Sequence, residues 1–140
     1  LAIQIARDGE GATKLIEVMV RGARTEKGAA AVARTVVGSS LLKTAVYGAD
    51  PNWGRVLAAA GRAGVAFDPD RVSLFIGAGP GRAPLVEDGR IVVDLARAKE
   101  AMKEKEVRFE LDLGTGTGEA TAWGCDLTEK YVEINGRYTT

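Results

Sequence analysis

The sequence contains no histidine, and this absence removes several kinds of catalytic site at once. A Ser-His-Asp triad, a Cys-His pair and a histidine-bound zinc ion cannot be built from this chain alone. Any acid–base chemistry must then use carboxylates, lysines, hydroxyls or groups brought by another chain. The single cysteine, Cys125, cannot form an internal disulfide, and we expect it to be a small buried residue beside Trp123 and Gly124.

The charge balance and the lack of long apolar runs exclude further classes. Lys plus Arg and Asp plus Glu both total 19, without the basic stripe that is typical of nucleic-acid-binding proteins. No apolar run approaches the ~20 residues of a membrane-spanning helix. The 140 residues, 46% of them hydrophobic, are enough for one domain with a core. We therefore expect a cytoplasmic protein with neither a nucleic-acid nor a membrane partner.

Apolar periodicity and turn-forming residues predict the secondary structure. The chain begins in mid-pattern without methionine, so residues 1–7 indicate the end of a helix and a fragment or processed chain. Because strand–helix alternation is mixed with a hairpin, we predict an α+β fold with a mixed-sheet sandwich rather than a doubly wound parallel sheet. The predicted elements are strands at 15–23, 40–48, 71–77, 107–114, 120–127 and 131–136, a hairpin at 85–95 that turns at Asp88-Gly89, helices at 25–39, 51–61 and 96–106, and loops at 77–85 and 114–120.

Two glycine-rich stretches resemble nucleotide-binding loops only superficially. GTGTG at 114–118 is followed by no helix, and GEGATK at 9–14 lacks the GK[ST] ending, so both are interpreted as structural turns. Glu10 lies between two glycines, and its carboxylate could project into a cleft, although a solvated loop acid is the simpler interpretation of the spacing. Thr13 and Lys14 have the same two interpretations, as site residues or as the exposed start of a strand.

The stretch ADPNWGR (49–55) contains an acid, a proline, an amide, an indole and a cation, more functional groups than an ordinary turn needs. Asp50 is a good helix N-cap, and Pro51 suits the first helical position. Capping does not explain Asn52, Trp53 or Arg55. We expect Trp53 to lie in or near the core and Arg55 to pair with a surface acid.

Four stretches together make the chain recognisable. DGEGATK (8–14), KTAVYGADPNWGRVLAAAG (43–61), ATAWGCDLTEKYVEIN (120–135) and the final Thr140 occur in this order in the ornithine acetyltransferase, or glutamate N-acetyltransferase, family. The chain resembles the C-terminal part of that family's β chain over nearly its whole length, most weakly at 77–106. The resemblance implies that residues 1–62 belong to the catalytic sandwich and 63–140 to a C-terminal α+β subdomain.

The resemblance also implies an activity. Members of the family cleave themselves before a threonine, which becomes the first residue of the β chain and the nucleophile. This threonine takes the acetyl group from N-acetylornithine and passes it to glutamate in arginine biosynthesis, with its own α-amine as base and an oxyanion hole from the α chain. The implied partners are the α chain and the remainder of the β chain, in a hetero-oligomer. No cofactor or metal is implied, and the use of acetyl-CoA as a second donor stays open.

Three residues match the family's substrate contacts. Glu10 of DGEGATK corresponds to an active-site glutamate that would meet the ammonium group of ornithine, and Asn135 and Thr140 correspond to two C-terminal contacts. The nucleophilic threonine is not among these 140 residues, so the chain alone is expected to be inactive. No catalytic role is implied for residues 50–55, which are interpreted as a structural corner.

Two other interpretations compete with the transferase. One is a non-catalytic α+β module that binds a small amino acid or a partner chain. The other is a relative that hydrolyses peptides or amides, because N-terminal-nucleophile aminopeptidases can share the architecture. The quoted motifs disfavour the hydrolase.

Overall fold

A six-stranded mixed sheet organises residues 13–126, the part of the chain that the computed structural model describes. The strand order is β4-β3-β2-β5-β1-β6. β1 and β5 are parallel, and each other neighbouring pair is antiparallel, which confirms the predicted mixed sheet. The strands are β1 (Leu15–Ala23), β2 (Ser73–Ile76), β3 (Ala83–Glu87), β4 (Arg90–Ile91), β5 (Glu106–Asp112) and β6 (Gly118–Cys125).

Within the described residues, four α-helices contribute to one hydrophobic core with this sheet. They are α1 (Glu26–Val37), α2 (Ser40–Tyr47), α3 (Trp53–Gly61) and α4 (Leu95–Met102), with short 3₁₀ turns at Pro69–Arg71 and Gly79–Gly81. α1 packs against β1 and β6, whereas α4 packs against β2 and β3. Within residues 13–126 no single helix is long and apolar enough to cross a membrane, although α1 and α2, bent by 57°, together meet the length and composition criteria.

The alternation of side chains along β1 explains which face of the sheet is covered. Ile16, Val18 and Val20 are fully buried, while Glu17, Met19 and Arg21, which alternate with them, are half-buried. A strand directs successive side chains to opposite faces, so the apolar set meets the helices and the polar set lies on the other face. β5 continues the pattern, because Val107, Phe109 and Leu111 are also buried and stand in register with the β1 set.

α1 forms as its sequence predicts. Thr25 Oγ1 accepts a hydrogen bond from the Gly28 N–H at 2.9 Å, which caps the first turn. At the other end, the Gly38 N–H donates to the Arg34 carbonyl at 3.0 Å. The buried residues recur at helical spacing and form the stripe that meets the sheet: Ala29, Val32, Ala33, Val36 and Val37.

The predicted strand at 40–48 is wrong, because these residues form helix α2. Ser39 Oγ accepts the Leu42 N–H at 3.2 Å and begins the helix two residues after α1 ends. The buried residues Leu42, Ala45 and Val46 follow an i, i+3, i+4 pattern, whereas Leu41 is 60% exposed. Packing of this stripe onto the core overrides the strand preference of the β-branched and aromatic residues in the segment.

The hairpin at Asp88-Gly89 is confirmed, but its second arm is shorter than predicted. Both turn residues have positive φ, 47° at Asp88 and 77° at Gly89, as a type I′ turn requires. β4 contains only two residues, and both are exposed. The loop predicted at 77–85 ends earlier, because β3 already begins at Ala83.

The GTGTG stretch is a packed connection, which supports its interpretation as a structural turn. A Cβ on Gly116 would lie 2.5 Å from the Ala23 carbonyl oxygen, and a Cβ on Gly118 would overlap the backbone of Thr25. Both glycines are therefore needed because the loop presses against the end of β1 and the start of α1.

Some predictions about organisation lie beyond these observations. The predicted helix at 1–7 and strand at 131–136 lie outside the described residues. The division of the chain after residue 62 stays a prediction, and strands from both sides of it pair in the one sheet. The strand predicted at 15–23 is confirmed with the same bounds. The remaining predicted strands and helices are confirmed with shifted ends, most clearly at α4, which ends at Met102 rather than at residue 106.

Candidate functional site

The three residues predicted to contact substrate flank the described region. Glu10, Asn135 and Thr140 all lie outside residues 13–126. Glu10 is three residues before Thr13, and Asn135 is nine residues after Asp126. Thr13 and Asp126, the first and last described residues, contact each other directly.

We call Thr13, Lys14 and Asp126 the strand-end junction. Asp126 Oδ1 accepts the backbone N–H groups of Thr13 at 2.8 Å and Lys14 at 2.9 Å, and its Oδ2 accepts the Thr13 hydroxyl. The Asp126 N–H in turn donates to the Lys14 carbonyl at 3.1 Å. Asp126 is only 1% exposed, and these donors compensate for removing its carboxylate from water.

Lys14 fixes the same junction from the helical side. Its side chain shares the face of Ile16, and its Nζ donates to the Val46 carbonyl at 3.0 Å and to the Met102 carbonyl at 2.6 Å. These carbonyls lie at the C-terminal ends of α2 and α4, where a positive charge is favourable. Lys14 is thus half-buried, whereas Thr13 is exposed although both its N–H and its hydroxyl donate to Asp126.

The start of β1 is also bonded to the strand on its other side. The Leu15 N–H donates to the Lys105 carbonyl at 2.8 Å, just before β5 begins. β1 therefore starts between the end of β6 and the start of β5, with hydrogen bonds to both. Such a position leaves little freedom for the first residues of the strand.

A cavity of about 390 Å³ lies beside Leu15 on this end of the sheet. Its polar wall contains Glu17, whose Oε1 accepts the Trp123 indole N–H at 3.0 Å and whose Oε2 lies 3.2 Å from Arg108 Nε. The Glu17 carboxylate thus has two partners within the protein, and these contacts are sufficient to explain its position. Among residues 13–126, no group of three or more acidic, cysteine or histidine side chains could hold a metal ion.

Ion pairs continue along the same face of the sheet. Glu110, 6% exposed, lies 2.6 Å from Arg82 and 3.6 Å from Arg21, and the Arg82 guanidinium stacks on the Phe75 ring with 4.1 Å to its centroid. Asp112 pairs with Arg21 at 3.3 Å. Each of these charged side chains is paired with another residue of the protein, so the cluster does not indicate a separate ligand site.

The ADPNWGR stretch begins a helix, but not as predicted. Asn52, rather than Asp50, is the N-cap of α3: its Oδ1 accepts the Arg55 N–H at 3.0 Å, while its Nδ2 donates to Asp50. Pro51 precedes the cap and is buried. Arg55 donates to the carbonyl of Leu41 at 2.7 Å, and among residues 13–126 it has no ion pair with an acid. The element before this corner is a helix, which corrects the strand expected there.

Trp53 and Cys125 differ in how well the sequence predicted them. Trp53 is partly buried against the core, as expected. Cys125 is free but half-buried, so the expectation of a buried thiol was wrong. Its side chain lies on the same face of β6 as Trp123, whereas Gly124 between them faces Val37.

Sequence reasoning missed Asp126, although it lies within the WGCDLT motif. A single acid directly after a strand of small and apolar residues was the available signal, because burial of such an acid demands nearby donors. Its partners could not be read from the sequence, since Thr13 is 113 residues away along the chain.

The mixed-sheet fold and the motifs at its ends identify the class of protein: the chain belongs to the ArgJ family, whose sequence model matches residues 1–140. It is 55% identical over 141 residues to the arginine biosynthesis bifunctional protein ArgJ of Thermotoga neapolitana, covering 100% of this chain and 36% of that protein. It is 51% identical over 142 residues to the glutamate N-acetyltransferase of Methanosarcina acetivorans, again with 100% and 36% coverage.

A solved structure supports the same assignment. The crystal structure of the arginine biosynthesis bifunctional protein argJ from Bacillus halodurans superposes with a TM-score of 0.91 at 42% identity. The match covers 98% of this chain and 63% of that one. The chain thus spans about a third of the length of the curated relatives described above, at 36% of each.

Proposed function

We propose that this chain is the C-terminal part of an enzyme that transfers an acetyl group from N-acetylornithine to glutamate in arginine biosynthesis. The observation that carries the proposal is the match of the whole chain to a glutamate N-acetyltransferase at 51% identity. The similarity to the bifunctional Thermotoga neapolitana protein supports the same pathway. Acetyl-CoA as an additional donor for glutamate is compatible with the word bifunctional in that relative's name.

The proposed chemistry has two acyl transfers. The hydroxyl oxygen of an N-terminal threonine, supplied by the rest of the parent protein, attacks the acetyl carbonyl of N-acetylornithine. The C–N bond breaks, the threonine proton passes through the α-amine to the departing ornithine nitrogen, and an acetyl-threonine ester remains. The neutral amine of glutamate then attacks the ester carbonyl, the ester C–O bond breaks to release N-acetylglutamate, and the amine proton returns to the threonine oxygen.

In this proposal the present chain binds the substrates. Glu10 offers a carboxylate to the side-chain ammonium of ornithine, which a charge-assisted hydrogen bond recognises. Asn135 and Thr140 offer hydrogen-bond groups to the α-carboxylate that donor and acceptor share. The strand-end junction supports this arrangement, because the segments that carry these residues depart from adjacent positions, Thr13 and Asp126.

The proposal requires further chains. The nucleophile and the oxyanion hole would come from the remaining part of the β chain and from an α chain produced by self-cleavage of one precursor. A hetero-oligomer of α and β chains is therefore the proposed active form, and the isolated 140 residues are expected to be inactive. A cytoplasmic location remains part of this proposal.

The test is acetyl transfer by the intact parent enzyme with N-acetylornithine and glutamate as the only substrates. Glu10→Gln should raise the KM for N-acetylornithine by about 10- to 100-fold, the equivalent of one charge-assisted hydrogen bond. Glu119→Gln is the matched control, because Glu119 is exposed on β6, and it should behave as wild type.

Two results would contradict different parts of the proposal. If the wild-type enzyme transfers no acetyl group between the two substrates, the function is wrong, and the non-catalytic binding module becomes the better interpretation. If transfer occurs but Glu10→Gln has wild-type KM values, only the assigned role of Glu10 is wrong.

A further inference from the structure

We propose that the outer edge of β4 is a contact surface between two copies of this chain. In this contact the segment RIVVD (90–94) of one copy pairs with the same segment of the second copy as antiparallel strands, around a twofold axis at Val92. The inference is independent of the proposed acetyl transfer, because it concerns one edge of the sheet and none of the residues assigned to substrate.

β4 leaves backbone groups free along one side. It is the end strand of the sheet, and among residues 13–126 only β3 pairs with it. Arg90 stands in register with Glu87, and the Val92 N–H donates to the Leu85 carbonyl at 3.0 Å. Because backbone groups alternate in direction along a strand, those of Ile91 and the residue after Val92 point away from β3. Such an open edge is a template for a further strand.

Contacts at the hairpin turn hold this edge in place. The Gly89 N–H donates to the Val72 carbonyl at 2.9 Å, and the Asp88 N–H donates to Ser73 Oγ at 3.1 Å. A Cβ on Gly89 would lie 2.8 Å from the Pro69 carbonyl oxygen, so the turn packs closely on the 3₁₀ turn that begins there. The edge is therefore preformed, and pairing with a second strand costs little conformational entropy.

Apolar side chains are exposed beside the open edge. Ile91 is 63% exposed, Val92 40% and Leu95 52%, and these are three of the five large hydrophobic residues that are exposed among residues 13–126. Scattered exposed apolar residues need no explanation, whereas a group of them at one place indicates a surface that a partner covers.

The order of residues in RIVVD selects a second copy as the partner. When the segment is laid antiparallel to itself about Val92, Arg90 stands opposite Asp94 of the second copy at both ends, and Ile91 stands opposite Val93. The outward-pointing residues Ile91 and Val93 then form the hydrogen-bonded pairs, and Val92 forms the non-hydrogen-bonded pair, as an antiparallel ladder requires. An axis at Ile91 would instead leave Arg90 opposite Val92 and lose both ion pairs.

The two charged residues at the ends of the segment retain free binding capacity. Asp94 Oδ1 accepts the Arg97 N–H at 3.3 Å, while its Oδ2 has no partner in the described part of the chain. Arg90 is exposed and has no ion pair within residues 13–126. Four residues of extended chain separate the two by about 13 Å, so they cannot pair within one copy. A second copy brings each within reach of the other.

Cross-linking at the axis tests the geometry in the intact parent protein. Cα atoms of a non-hydrogen-bonded pair are about 4.5 Å apart, within the range of about 4.4–6.8 Å that a disulfide spans. Val92→Cys should therefore form a covalent dimer under mild oxidation, as seen by non-reducing electrophoresis. Ile91→Cys is the matched control: the residue is more exposed, but it faces Val93 rather than its own copy, so it should not cross-link.

Charge reversal at the same position tests the symmetry. Val92→Asp and Val92→Lys each place two like charges opposite each other, so each should raise the dissociation constant of the pairing about 100-fold or more. An equimolar mixture of the two variants should associate again, because opposite charges then meet. Sedimentation measures the association, and Tm should stay close to the wild-type value, since Val92 lies outside the core.

Three results would overturn the inference. The first is a wild-type parent protein that contains one copy of this chain per particle at all concentrations. The second is equal cross-linking of Val92→Cys and Ile91→Cys, which would reflect random collision. The third is a mixture of Val92→Asp and Val92→Lys that stays dissociated, which would show that another part of the parent protein covers the edge. None of these results bears on acetyl transfer.

Discussion

Replacing Lys14 by methionine tests whether its charge holds two helix ends against the sheet. The substitution keeps an unbranched side chain of similar length and removes the ammonium group. In the structure this group donates to the Val46 carbonyl at 3.0 Å and to the Met102 carbonyl at 2.6 Å. Lys14→Met should therefore loosen the ends of α2 and α4 without creating a cavity.

The two carbonyls are not expected to contribute equally. The Val46 carbonyl also accepts the Ala49 N–H at 3.1 Å, so it keeps a partner in the variant. The shorter contact, at the last residue of α4, should account for most of the loss. One hydrogen bond to a charged donor contributes about 1.5–3 kcal/mol, so we expect local opening to become easier by about 2 kcal/mol.

Hydrogen exchange of the intact parent protein measures this local opening directly. A change of about 2 kcal/mol corresponds to roughly 30-fold faster exchange. The effect should be confined to peptides at the two helix ends, which contain the N–H groups of Ala49 and Lys103. Lys99→Met is the control, because Lys99 is exposed on α4. Equal exchange in Lys14→Met and Lys99→Met would refute the reasoning.

Two further substitutions test the corner before α3 and the packed connection before β6. Asn52→Ala should destabilise α3 by about 1 kcal/mol through loss of its cap, and Asp50→Ala by less than half of this; equal effects in hydrogen exchange of the first turn would contradict the assignment of the cap. Gly118→Ala should lower stability by about 3 kcal/mol, because its Cβ would overlap the backbone of Thr25. Gly61→Ala, with open space around the added methyl group, should leave Tm unchanged or raise it, and a similar loss at both glycines would show that the connection is not tightly packed.

Elements with agreeing local and tertiary signals were predictable from the sequence. For α1, the Thr25 cap, the alanine-rich interior and the apolar stripe all indicate the same helix. In α2 the signals conflict, because Val46 and Tyr47 favour a strand while the spacing of the buried residues is helical. The segment is short, and only its packing against the core decides between the two.

The candidate site likewise contains some residues that the sequence predicted and others that it did not. The residues expected to contact substrate were predicted from sequence motifs. A motif indicates which side chains could bind substrate, but it does not show which residues contact each other in the fold. Asp126 and Lys14 act through partners distant in sequence, namely Thr13, Val46 and Met102. No local pattern indicates such pairs, because they arise only when strand order and helix packing are established.

Strand order therefore explains why the junction exists at all. β1 lies between a parallel and an antiparallel neighbour, so its first residue necessarily meets the start of β5 and the end of β6. Thr13 and Asp126, which lie just beyond the paired ends of β1 and β6, are thereby brought together by the topology. The buried carboxylate of Asp126 adds a side-chain contact between these two strand ends, because it accepts the Thr13 hydroxyl.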